Sequence, residues 1–165
     1  MSVSNILKKK KYWTDIIEWT KGKSIEQIVS TCTDPKWTMQ LASAANVNPY
    51  RIQLAKVLCA LRVRDKIYTR EHMSNMIDRA YLFATEQMTP KQEGKFKRTM
   101  VLSEKHSLVL ALVNSHPGYS DYVIRDIEKK MPEEYKELRE ELNDICKAIL
   151  ADEIKENFNT LSSTN

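Results

Sequence analysis

Between Trp37 and Arg64 the chain carries a run of side chains suited to recognition: Thr38, Gln40, Asn48, Tyr50, Arg51, Gln53, Lys56, Arg62 and Arg64. A carboxamide sets a donor beside an acceptor, the complement of an adenine edge, so Asn48 and Gln53 suit base contacts. Tyr50 can bond a phosphate oxygen, Thr38 and Gln40 can approach a nucleic-acid backbone, and Arg51, Lys56, Arg62 and Arg64 add positive charge. Catalysis has less to work with. His72, His106 and His116 share no helical face with a second metal ligand, and no Cys-x-x-Cys or His-Glu-x-x-His pair occurs. Gly22, Gly94 and Gly118 are too far apart to cradle a phosphate. No strand-Ser-helix elbow occurs and no cysteine has an assignable histidine partner. Glu133-Glu134 and Glu140-Glu141 read as helix surface. The expectation is a protein that is not an enzyme, with no metal and no cofactor.

Such side chains need elements to place them, and the composition points to helices. Glycine is scarce while Leu, Lys, Glu, Gln, Ala and Met are plentiful, which predicts an all-α helical bundle. Ile6, Trp13, Ile16, Ile17 and Thr20 share a helical period, predicting one amphipathic helix over residues 5–21 that Gly22 stops. Lys8 to Lys11 would then wrap around that helix as a basic arm. Ser24 and Gln27 form a capping box for a short helix with Ile25, Ile28, Val29 and Cys32 on its face. Asp34 caps and Pro35 opens the next helix. Thr69 is expected to cap a central helix striped with Met73, Met76, Ile77, Ala80, Ala84 and Met88, buried on two sides. Ser103 would cap an apolar helix, His116-Pro117-Gly118-Tyr119 would turn, and Tyr122, Val123 and Ile127 would face inward from the helix after it. In the last helix, opened by Pro132, Tyr135, Leu138, Leu142, Ile145 and Ile149 step as a short heptad seam. That seam either packs on its own domain or forms a dimer interface.

The stretch from Trp37 to Arg64 has a more particular spacing. Leu41 and Ala42 end one helix, Asn46-Val47-Asn48 makes a turn, and Pro49 opens a second helix whose first inward residue is Ile52. Ala42 is small where two helices cross, and Asn46 tolerates a left-handed backbone. Residues 37–64 thus resemble the helix-turn-helix DNA-binding proteins, with the Ser24 helix as the supporting element of a unit over 24–66. The resemblance implies that the second helix enters the major groove, with Asn48, Tyr50, Gln53, Leu54 and Val57 facing outward. Leu54 and Val57 are apolar, however, and suit burial against the Met73–Met88 helix. The layout of basic front, helical middle and acidic tail is also similar to that of phage small terminase subunits.

Charge divides along the chain. Residues 1–66 carry a net +7, residues 67–106 a net +2 and residues 107–165 a net −5. The expected domains are a basic helical front over 1–88, a basic linker over 89–102, a helical part over 103–156 that oligomerises or packs on the front, and a disordered tail over 157–165. The function expected is non-enzymatic nucleic-acid binding, DNA before RNA, as a regulator or as the recognition subunit of a larger assembly. A helical protein adaptor using the acidic last helix or the Met-rich face is the alternative, and a nonspecific RNA-binding subunit is the third. Cys32, Cys59 and Cys146 are odd in number and widely spaced, which with the lack of a long apolar run predicts a cytoplasmic protein with no membrane partner.

Overall fold

The computed structural model describes residues 1–102, Leu112 and residues 119–163. Among the described residues the chain is all-α. Its helices are α1 (Val3–Lys9), α2 (Thr14–Thr20), α3 (Ile25–Thr31), α4 (Pro35–Ala44) and α5 (Pro49–Ile67), then α6 (Glu71–Ala84), α7 (Pro90–Leu102), α8 (Tyr122–Lys130) and α9 (Pro132–Ser163). The helix expected from Ser103 and most of the expected turn at His116 lie outside the described residues.

Several helix starts follow from the local chemistry read in the sequence. Ser24 accepts from the Gln27 amide and Gln27 answers to the Ser24 amide, closing the capping box of α3. Asp34 caps α4 and Asn48 caps α5, each followed by proline at the first helical position. Helix ends use a device that scarce glycine would not suggest. α1, α4 and α6 each stop on a non-glycine residue in the left-handed region: Lys11 at φ 59°, Asn46 at φ 55° and Glu86 at φ 55°. At each end the next amide reaches back to the third-last helical carbonyl, as in Tyr12 N–H to Leu7, Val47 N–H to Ala42 and Gln87 N–H to Leu82. That pairing is the Schellman motif, which satisfies carbonyls left open at a helix end. The one long N-terminal helix expected over residues 5–21 is therefore two helices, broken where Lys11 turns the chain.

Helix α5 lies at the centre, packed against α6, α8 and α9, while α9 also lies along α3 and α4. The central role expected for the Met73–Met88 helix thus belongs to α5. Helix α6 buries Met76, Ile77, Ala80 and Phe83 on one side but leaves Tyr81 and Leu82 exposed. Residues 90–102, expected as a linker, form α7, whose Phe96 is buried with its ring centroid 5.5 Å from that of Phe83. Thr69 does not cap α6; Arg70 holds that position without a side-chain bond. The expected disordered tail from Asn157 continues α9 as far as Ser163, with Phe158 in the core. The first and last segments meet, since the Met1 amine donates to the Ser162 carbonyl at 2.9 Å. The described residues of the front and of the C-terminal part therefore share one core.

The heptad seam packs within the chain. Tyr135 and Leu142 are buried, and Leu138, Ile145 and Ile149 are partly buried against the same core. The deepest line of α9 runs Leu142, Cys146, Leu150, Ile154 and Phe158 in steps of four, which winds around the helix instead of holding one seam.

Candidate functional site

At the α4–α5 turn Asn46 is left-handed and Asn48 caps α5, but several side chains expected to face outward are buried. Gln53 is 4% exposed, Lys56 1% and Val57 0%, and Leu54 is half-buried. Thr38 and Gln40 are buried too. The Thr38 hydroxyl donates to Asn143 Oδ1 at 2.7 Å, and Asn143 Nδ2 donates to the Cys32 carbonyl at 2.8 Å, tying α4 to α9. Gln40 Nε2 donates to Asp121 Oδ2 at 2.8 Å. A base edge reaches none of these groups in this arrangement. Gln53 is covered because α5 is packed by α6, α8 and α9, and Thr38 because α9 lies along α4.

The remaining candidates stand at the surface but are engaged. Asn48 accepts from the Tyr50 amide at 2.9 Å, and its own amide donates to Glu153 at 2.8 Å. Tyr50 is half-buried with its ring centroid 5.5 Å from that of Phe83. Arg51 donates through Nη2 to the Ile149 carbonyl at 2.6 Å and pairs with Glu153. Arg62 forks onto Glu141, and Arg64 donates to Asp78 at 2.7 Å. The outer side of α5 thus faces carboxylates of α9 and α6 where a reader would face phosphates.

A cleft of about 280 Å³ opens beside the turn, lined by Ser43, Asn46, Val47, Ile52, Gln53 and Lys56 among others. Burial pushes the Lys56 ammonium down to about 8, against an opposing pull from Asp121. Asp121 is itself buried and accepts from both Gln40 and Arg125 Nε, each at 2.8 Å. Tyr12 lies at the edge of the same group, bonded to Ser43, and burial raises its phenol above the usual range. Gln40 Oε1 is buried with no hydrogen-bond partner among the described residues.

The N-terminal surface is open and basic. Lys10 is clamped at the turn, its Nζ donating to the Ala44 carbonyl at 2.7 Å and to Asn46 Oδ1 at 2.9 Å. Lys8, Lys9 and Lys11 around it are exposed and carry no ion pair among the described residues. Two residues on, Trp13 is 59% exposed, although the helical period predicts it inward. Arg125 lies over its ring, the guanidinium carbon 4.1 Å from the centroid. Tyr122 is likewise 43% exposed, where the period of α8 predicts an inward face, and its ring centroid is 4.9 Å from that of Tyr119. The sequence signal for this surface is the run Lys8 to Trp13, four cations followed directly by two aromatics. Its partners on α8 lie too far along the chain for periodicity to pair them with it.

No protein family model, curated protein or solved structure matches this chain. No helix among the described residues is long and apolar enough to cross a membrane. The described residues also hold no group of three His, Cys, Asp or Glu side chains placed to bind a metal ion.

Proposed function

We propose that this protein binds nucleic acid through its open N-terminal basic surface, as a recognition or assembly subunit and not as an enzyme. The observation that carries the reading is the placement of Lys8, Lys9 and Lys11. They stand exposed without ion-paired partners among the described residues, on a backbone that the Lys10 clamp holds against the α4–α5 turn. Fixed, unneutralised cations are what a phosphate backbone rewards, because each contact releases condensed counterions. The burial of Gln53 and Lys56 argues that α5 supports this surface and does not read bases itself. Binding of this kind is governed by backbone charge and is weakly selective for sequence.

The test is fluorescence anisotropy with a labelled duplex and a labelled strand across a salt series, comparing the wild type with Lys8→Glu/Lys9→Glu/Lys11→Glu. Affinity should fall steeply with salt in the wild type. The triple variant should lose most of it and flatten the log–log slope by roughly 2 to 3, about one unit per lost phosphate contact. Gln53→Ala should leave sequence preference unchanged. Absence of binding to duplex or strand at low salt overturns the proposal.

A further inference from the structure

The geometry points to single-stranded nucleic acid as the ligand, with unpaired bases stacking along a row formed by Trp13, Arg125, Tyr122 and Tyr119. This rests on the nucleic-acid reading above and names the form of nucleic acid that the same surface takes. Stacking demands flat, exposed, preorganised rings beside a cationic track, and sequence-tolerant binders of single strands combine those two parts.

Two ring contacts build the row. Arg125 lies over Trp13, and Arg125 and Tyr122 stand three residues apart on α8, so they are neighbours on one helix face. Tyr122 meets Tyr119 at 4.9 Å with the rings tilted by 43°, which splays their faces instead of sealing them together. It is also held in place. Arg125 Nε donates to Asp121, which Gln40 grips from α4, so the guanidinium under Trp13 is anchored in the core. Trp13 has an extended backbone at the N-cap of α2 and makes no capping bond, so its place there does not come from capping that helix.

The charge favours a nucleic acid over a protein partner for these rings. Lys11 precedes Trp13 by two residues, and Lys8 and Lys9 continue the track back along α1. A strand following Lys8 to Lys11 therefore arrives at Trp13, where its bases are free to turn onto the row. A duplex could use the lysines but keeps its bases stacked on one another, out of reach of the rings.

The experiment compares labelled strands of oligo-uridine and oligo-thymidine, each about 15 nucleotides, with a duplex of equal length, since that span covers a typical single-strand site. Trp13→Ala/Tyr122→Ala removes two exposed rings, and its helicity and melting temperature are checked against the wild type. Strand affinity should fall about tenfold or more, equal to roughly 1.4 kcal/mol, while duplex affinity stays within about twofold. Strand binding should also quench the emission of Trp13 in a Trp19→Phe/Trp37→Phe background. Should that background fold poorly, the anisotropy comparison alone decides. An equal loss on strand and duplex, or none on either, overturns the stacking row. If Lys8→Glu/Lys9→Glu/Lys11→Glu still weakens both ligands, the basic-surface reading survives that failure. If the wild type binds neither ligand, both fall.

Discussion

Lys56 sits at 1% exposure beside the cleft at the turn, a cation with most of its hydration removed. Its ordinary value of 10.5 drops to about 8, so the folded state binds this proton less tightly than the unfolded state does. Below about pH 8 both states are protonated and folding bears the full penalty of the buried charge. Between about pH 8 and pH 10 the unfolded chain holds more protons, so this residue makes stability rise with pH. Lys56→Met keeps most of the volume and removes the charge. It should stabilise the protein near neutral pH, with the gain shrinking as pH rises through that window. Denaturant midpoints of both proteins from pH 7 to about pH 10 check it; a gain that does not depend on pH would show that Lys56 is not a buried charge. A second residue-scale test concerns Glu86, which ends α6 at φ 55°. Glu86→Gly should stabilise by about 1 kcal/mol, since glycine adopts that backbone without a Cβ conflict. Its readout is a higher melting temperature.

At the scale of elements, what the sequence disclosed and what it concealed divide along a physical line. Caps and stops are local, so Ser24, Asp34, Asn48 and the left-handed Asn46 were legible from neighbouring residues alone. Which face of α5 points inward was not legible, because its apolar residues nearly encircle it and the answer depends on three neighbours arriving from elsewhere in the chain. Gln53 and Lys56 look like surface by type and are interior by placement. Helix α7 was concealed for the opposite reason. From Lys91 to Thr99 its residues are polar apart from Gly94 and Phe96, and Phe96 packs against Phe83. Helix α9 carries the clearest element-scale prediction. Leu150→Ala opens a void between α9 and the helices beneath it and should cost roughly 2 to 5 kcal/mol. Truncation after Glu156 should also destabilise, because it removes the buried Phe158. A truncated chain that melts like the wild type would return residues 157–163 to the status of a dispensable tail.

At the scale of the whole molecule, the opposite charges of the two ends of the sequence meet each other. Arg51 with Glu153, Arg62 with Glu141 and Lys36 with Glu128 each join a basic front helix to the acidic C-terminal part. The +7 of the first residues is therefore partly consumed inside the chain, and Lys8, Lys9 and Lys11 are among the cations left exposed. On the proposed function, the carboxylates of α9 compete with phosphates for the arginines of α5. Glu141→Gln/Glu153→Gln should release Arg62 from its ion pair and leave Arg51 held by the Ile149 carbonyl alone, with the hydrophobic contacts of α9 in place. Nucleic-acid affinity at low salt should then rise, and the salt slope should steepen by about 1 to 2 as up to two more phosphates are engaged. The melting temperature should move little, because these pairs lie at the surface where water and salt already screen them. The reverse variant, Arg51→Gln/Arg62→Gln, should leave binding close to wild type, since both guanidinia are occupied by α9 before any ligand arrives. If that second variant loses most of the affinity instead, the α5 arginines reach the ligand directly and α9 must yield to it on binding.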